Sequence, residues 1–210
     1  MSIHPDTIVY NIKLFGKASI AARDIGPNYE DAKQKAITAD YLNTQYKLNQ
    51  FEHYKKSYAD PKLIKNKYAD LSMLIDSRSN KKNICLFIVK IFKDKFLYDE
   101  KYNNNIVKDG RVYFTCQFTA RVIHIKPGDK FKVRILKLKN DMIFISSFDQ
   151  KLLGFIVRPS QNNHIKYSKS EKVEIEKLKV GDDILVESIN NPQVNKFIIC
   201  ICKYVSTLPS

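Results

Sequence analysis

Protein chemistry needs nucleophiles, bases or metal ligands gathered at one point, and the chain has few groups that could be gathered. Its four histidines, His4, His53, His124 and His164, stand far apart, without the paired spacing of a metal or general-base site. Cys85, Cys116, Cys200 and Cys202 sit inside apolar, strand-like runs. No CxxC pair or nearby histidine accompanies them, so buried thiols in a reducing compartment are expected rather than zinc or disulfides. Asp182-Asp183 and Asp99-Glu100 are adjacent carboxylates, but neighbouring strand residues point to opposite faces, and a turn accounts for each pair. The six glycines are scattered and form no phosphate-binding loop, and no Ser or Cys lies in a nucleophile-elbow context. No active site, metal or cofactor is therefore expected, and the chain is not expected to be an enzyme by itself.

What remains is basic charge. The 210 residues carry 36 basic and 22 acidic side chains, a formal +14, which suits a polyanion such as nucleic acid. Six of the basic residues are Arg, so the charge is mostly Lys, better suited to diffuse phosphate attraction than to reading bases. It is concentrated: residues 121–158 hold nine basic and three acidic residues, whereas residues 161–210 hold seven and six. Lys132 and Arg134 alternate with Phe131, Val133 and Ile135 and so share one outward face, a candidate phosphate-tracking patch with Lys137 nearby. Phe144, Phe148 and Phe155 are close in sequence. Rings beside cations on a small barrel hold single strands, although each Phe taken singly is expected in the core.

These residues must be positioned by elements that the spacing predicts. An apolar fraction of 44% is enough for a real core. Ile8–Leu14 alternates as a strand, and a second apolar stretch runs from Ala18 to Ala22. Gly26-Pro27 signals a turn. Asn28 is placed to cap a helix reaching Leu42, with Glu30 and Asp31 in its first turn. Residues 49–76 are predicted as two Lys- and Tyr-rich helices split at Asp60-Pro61, with a loop at 77–83. Ile84–Phe92 is a strand covered on both faces, 99–110 an exposed loop, and 112–122 the cleanest alternating strand. From Lys126 the texture changes to short strands at 131–138, 142–148, 152–157, 173–178, 184–189 and 197–205, as in a closed barrel. Lys126-Pro-Gly-Asp129 and Lys179-Val-Gly-Asp182 echo each other, each a Gly-Asp turn opening a strand. The longest apolar run is too short to span a bilayer, no basic-then-apolar leader opens the chain, and an intracellular location without membrane contact is expected.

In this order the chain resembles the stalk subunit of multisubunit RNA polymerases, the family that holds the seventh subunit of RNA polymerase II and its archaeal counterpart. The resemblance covers most of the chain. It rests on the opening strands, Gly26-Pro27-Asn28 and its helix, the strands at 84–92 and 112–125, the connector His124-Ile-Lys-Pro-Gly-Asp129, Gly154-Phe-Ile-Val-Arg-Pro159 and Gly181-Asp-Asp-Ile184. It implies an α+β tip domain (RNP-like, 1–126, with a helical insertion at about 43–83) followed by an all-β OB-fold barrel (127–210). It further implies docking on the largest core subunits through Tyr10, Ile25, Gly26, Pro27 and Asn28, a small stalk partner subunit, and nascent single-stranded RNA near Lys132, Arg134, Lys137, Phe144 and Arg158. The insertion exceeds the family's usual length. Met142 stands where the family has a glycine, which crowds the surface RNA would approach. The Lys- and Asn-rich composition points to a large DNA virus as source, placing the protein in host cytoplasm and virion; a cellular eukaryotic version would be nuclear. Two rivals fit the same residues: a free-standing OB-fold single-strand-binding protein, and a scaffold whose Tyr-striped insertion recruits a partner.

Overall fold

The computed structural model describes residues 8–47, 85–97, 106–147, 152–159, 165–190, 193–194 and 197–208. The helices expected at 49–76 and the loop at 77–83, hence nearly all of the insertion, lie outside the described residues, as do Phe148 and the Asp99-Glu100 pair. The chain divides into two compact units, Val9–His124 and a second beginning at Ile125.

The first unit runs β1 (Val9–Ala21), a 3-10 turn (Ala22–Asp24), α1 (Tyr29–Tyr41), β2 (Gln45–Lys47), β3 (Cys85–Leu97), β4 (Ile106–Lys108) and β5 (Arg111–Ile123). The strands form one antiparallel sheet in the order β1-β5-β3-β2, with β4 hairpinned onto β5. Even-numbered residues of β1 and β5 pair on one face: Ile12 with Ala120, Leu14 with Phe118, Ala18 with Phe114, Ile20 with Val112. That face is buried with Ile37 of α1.

Three expectations are corrected here. The stretches at 8–14 and 18–22 are one continuous strand through Gly16. A Cβ at Gly16 would come within 2.8 Å of Ile37 and Phe118, so the glycine admits the helix rather than breaking the strand. The loop expected at 99–110 contains β4. Asp109 and Gly110 have φ of 51° and 68°, the left-handed pair that closes a two-residue hairpin. Asn28 occupies the N-cap of α1, but its side chain makes no capping bond; its backbone (φ −100°, ψ 45°) is outside the extended region that aims a cap oxygen at the first-turn amides. The long edge of β1 is occupied at its centre. The Tyr41 hydroxyl accepts from the Lys17 amide (2.9 Å) and donates to the Lys17 carbonyl (3.1 Å), and the Tyr46 hydroxyl donates to the Phe15 carbonyl (2.6 Å).

The second unit contains β6 (Lys130–Leu138), β7 (Met142–Ser147), β8 (Leu152–Val157), α2 (Lys169–Lys177), β9 (Asp183–Ser188), β10 (Gln193–Val194) and β11 (Ile198–Thr207). The order β11-β8-β7-β6-β9 closes on itself because β9 also pairs with β11, giving a five-stranded barrel; β10 pairs with β11 outside the ring. β8 and β11 are parallel, and the other neighbours are antiparallel. Phe131, Val133, Ile135, Ile143, Ile145, Ile156, Ile184, Val186 and Cys200 are buried, the alternate positions that face a barrel core. Each such large side chain contributes roughly 1.5–3 kcal/mol by leaving water.

The strand expected at 173–178 is corrected to a helix. Ser168 Oγ accepts from the Glu171 amide (3.2 Å) and Glu171 Oε2 accepts from the Ser168 amide (2.6 Å), a reciprocal cap that starts α2. Ile175 is its buried side chain, and Leu178 at its C-cap is buried as well. The echoed turns behave alike. Gly128 and Gly181 take φ of 91° and 96°. Asp129 Oδ2 accepts from the Lys126 amide (2.9 Å), and Asp182 Oδ2 accepts from the Lys179 amide (2.7 Å). Each turn is stitched to the strand that the other opens: Gly128 N donates to Ser188 O, and Gly181 N to Ile135 O. The device thus fastens both ends of the β6–β9 ladder.

Candidate nucleic-acid interface

β6 carries the expected cations on the outside of the barrel, and β9 decides what they can do. The register sets Arg134 opposite Asp183 and Lys132 opposite Leu185. Asp183 receives Arg134 through Nε (2.9 Å) and Nη2 (3.2 Å), and Lys132 Nζ through a 2.9 Å contact. This two-pronged guanidinium contact, with the lysine beside it, holds the Asp183 carboxyl down to about 2. Lys130 lies 3.9 Å from Glu187 on the same ladder. The turn therefore accounts for Asp182 only; Asp183 is the first residue of β9 and compensates two cations. Phosphate reaching Lys132 or Arg134 must compete with it.

The outer face one strand further on is different. Between Ile135 and Lys137 the β6–β7 register shifts, so Lys137, rather than Leu136, pairs with Phe144. The bulge re-aims Lys137 to the ring's side of the sheet. Phe144 is half-buried between the buried Ile143 and Ile145, so it points out of the barrel. Its cross-strand neighbour on β8 is Phe155, flanked by the buried Gly154 and Ile156. The expectation that each Phe is core is corrected for both rings. Inside positions on β8 go to Leu152, Gly154 and Ile156, and a Cβ on Gly154 would meet the Cys200 carbonyl at 2.9 Å. Lys139 Nζ stands 5.5 Å from the centre of the Phe144 ring. Met142, at the family's glycine position, is half-buried on this face opposite Val157. Ile201 of β11 lies beside Phe155 and exposed Ile199 beside Leu153, extending the apolar strip.

Arg158 follows β8; it is half-buried, and its amide donates to the Asp141 carbonyl (3.0 Å). Tyr167, which no sequence signal singles out, donates to the Val157 carbonyl (3.4 Å) beneath Lys203, with burial pushing its phenol up to about 12. The structure thus brings Lys137 and Phe144 together with Lys139 and Phe155, and separates them from the Asp183-bound pair Lys132 and Arg134. In the first unit, Ile25, Gly26, Pro27 and Asn28 form an exposed segment before α1, while Tyr10 is half-buried against the sheet core.

Among the described residues no three His, Cys, Asp or Glu side chains gather as a metal group, and no helix is long and apolar enough to cross a membrane. Cys116 and Cys200 are buried thiols pushed up to about 12 by desolvation, and Cys202 is raised by the same cause. No family model matches the chain, and no curated protein matches it. Among solved structures it is similar to the uncharacterized protein MJ1198 from Methanocaldococcus jannaschii, at 20% identity over 40% of this chain and 96% of that one, with a TM-score of 0.27. A likeness of that size carries no argument about function.

Proposed function

We propose that the protein is a non-catalytic stalk subunit of a DNA-directed RNA polymerase, docking on the core enzyme through its first unit and contacting nascent single-stranded RNA with its barrel. One observation carries the reading: the barrel is a three-strand meander, a helix and two closing strands, and strands two and three carry an outward aromatic pair beside lysines at the end of strand one. That connectivity is read as an OB fold, whose second and third strands form the oligonucleotide-binding face. Phe144 and Phe155 lie on it, next to Lys137 and Lys139. Rings supply stacking for bases of any sequence, and lysines supply phosphate attraction, which suits RNA emerging in no fixed sequence. Docking is supported by the exposed Ile25-Gly26-Pro27-Asn28 segment, in which the apolar Ile25 side chain is 40% exposed.

Binding of a labelled single-stranded RNA to the full chain tests the barrel's part. Replacing Phe144 and Phe155 by Ala should weaken affinity by about 1–3 kcal/mol for each stacked base lost. Unchanged affinity would remove RNA from the reading. The same face would serve a free-standing OB-fold single-strand-binding protein; recovery of a stable monomer that binds RNA and retains no polymerase subunit would favour that alternative.

A further inference from the structure

The sheet of the first unit has a second face, opposite α1, with a charge pattern the barrel lacks. Odd-numbered positions of β1 and β5 alternate with the core-facing pairs; Phe15 and Ile123 among them are buried, and the others are half-buried or exposed. Lys13 and Lys17 of β1, Arg111 and Arg121 of β5 and Lys90 of β3 are all exposed there, Lys90 sitting next to Arg121 in register. Among the described residues none of these five cations is ion-paired with a carboxylate.

The two guanidiniums are nevertheless held in place. Arg111 Nε donates to Ser19 Oγ (2.8 Å) and its Nη2 to the Ser19 carbonyl (3.2 Å). Arg121 Nε donates to Asn11 Oδ1 (3.2 Å). These acceptors are neutral, so they orient each guanidinium without cancelling its charge, unlike Asp183 on the barrel. Phe92 lies under two of the cations, with Lys90 Nζ at 5.2 Å and Arg121 Cζ at 5.9 Å from its ring. Tyr113 is 40% exposed on the same face. Thr115, Gln117 and Thr119 place neutral polar side chains between Tyr113 and Arg121, and Ile123 at the strand's end is buried.

We propose that this sheet face is a second binding surface for the backbone of single-stranded RNA, distinct from the barrel face. Exposed cations that pair with no acid among the described residues, two of them held by neutral acceptors, fit a chain of phosphates, and sheet faces bearing aromatic side chains accept unstacked bases. β1 advances about 3.3 Å per residue, so Lys13 and Lys17 stand roughly 13 Å apart and contact separate phosphates. The proposal rests on the proposed function for the identity of the polyanion.

The test uses the full chain and a labelled single-stranded oligouridylate, with affinity measured across a salt series. Lys13→Gln with Lys17→Gln alters two exposed side chains outside the core. This variant should bind several-fold more weakly at low salt, with the slope of log affinity against log salt reduced by about 1.4, since each single-strand phosphate contact contributes about 0.7. Lys13→Arg with Lys17→Arg should keep the slope. If the Gln variant binds like the parent while Phe144→Ala with Phe155→Ala weakens binding, the sheet proposal is overturned and the barrel reading stands. The opposite pattern keeps the sheet surface and removes the barrel face. A parent chain with no RNA affinity at any salt overturns both.

Discussion

Asp183 shows how one side chain can reverse the meaning of a basic stripe. Read along the chain, Lys132 and Arg134 are two outward cations; across the ladder they share one carboxylate. Asp183→Asn should therefore raise RNA affinity and steepen its salt dependence, as two cations become available to phosphate. Fluorescence anisotropy at several salt concentrations checks this, and a weaker-binding variant would mean that the pair serves structure alone. The same residue predicts an acid response. Its folded carboxyl titrates at about 2, below the ordinary carboxylate range near 4. A depressed folded value stabilises the fold above the unfolded value, and that contribution is lost as pH falls through about 2. Urea melts between pH 5 and 2 should show a shallower acid loss for Asp183→Asn than for the parent. The thiols give a further prediction. Cys116, Cys200 and Cys202 are buried and held as neutral SH groups, so a thiolate-directed alkylating reagent at pH 8 should leave them unmodified until denaturant is added. Peptide mapping of the alkylated protein reads this directly.

At the scale of elements, helix α2 hangs on its first residues. It is nine residues long, too short to persist alone, and the Ser168–Glu171 reciprocal cap starts it. Lys203 reaches Glu171 at 3.4 Å, and the Tyr204 hydroxyl donates to Glu174 (2.7 Å), tying the helix to β11. Ser168→Ala should cost about 1 kcal/mol of stability in chemical denaturation. A loss near zero would place the helix's start elsewhere. The same element is hard to read in the sequence. Val173, Ile175 and Leu178 suggest a strand, and the Ser-x-x-Glu signal ahead of them is the stronger cue because both of its hydrogen bonds are local. β5 is legible because every second residue from Val112 to Val122 is apolar and its neighbours are polar. β8 is legible as a strand but not as a two-faced one: Leu-Leu-Gly-Phe-Ile-Val is apolar throughout, so alternation cannot tell Phe155 from core, and only Gly154 hints at the inside. The Gly-Asp turns are legible because their cause is local. Asp183's partners are not, because strand pairing sets them over 49 residues.

At the scale of the whole chain, two units divide the work proposed for the protein. A sheet backed by α1 presents the exposed Ile25–Asn28 segment, and a closed barrel presents the Lys137–Phe144–Phe155 face. The order of these units underlies the resemblance to polymerase stalk subunits, and composition alone would have gone no further than a basic, polyanion-seeking chain. Docking and RNA contact separate by mutation. Ile25→Asp should lower retention by the polymerase core while leaving RNA affinity of the purified chain unchanged, whereas Phe144→Ala with Phe155→Ala should do the reverse. The most direct measurement is affinity purification of the tagged full-length protein from cells in which it is naturally expressed, with mass spectrometry of what is retained. Co-purification of the two largest RNA polymerase subunits in near-stoichiometric amounts is the predicted result; a tagged protein recovered without any polymerase subunit contradicts the assignment.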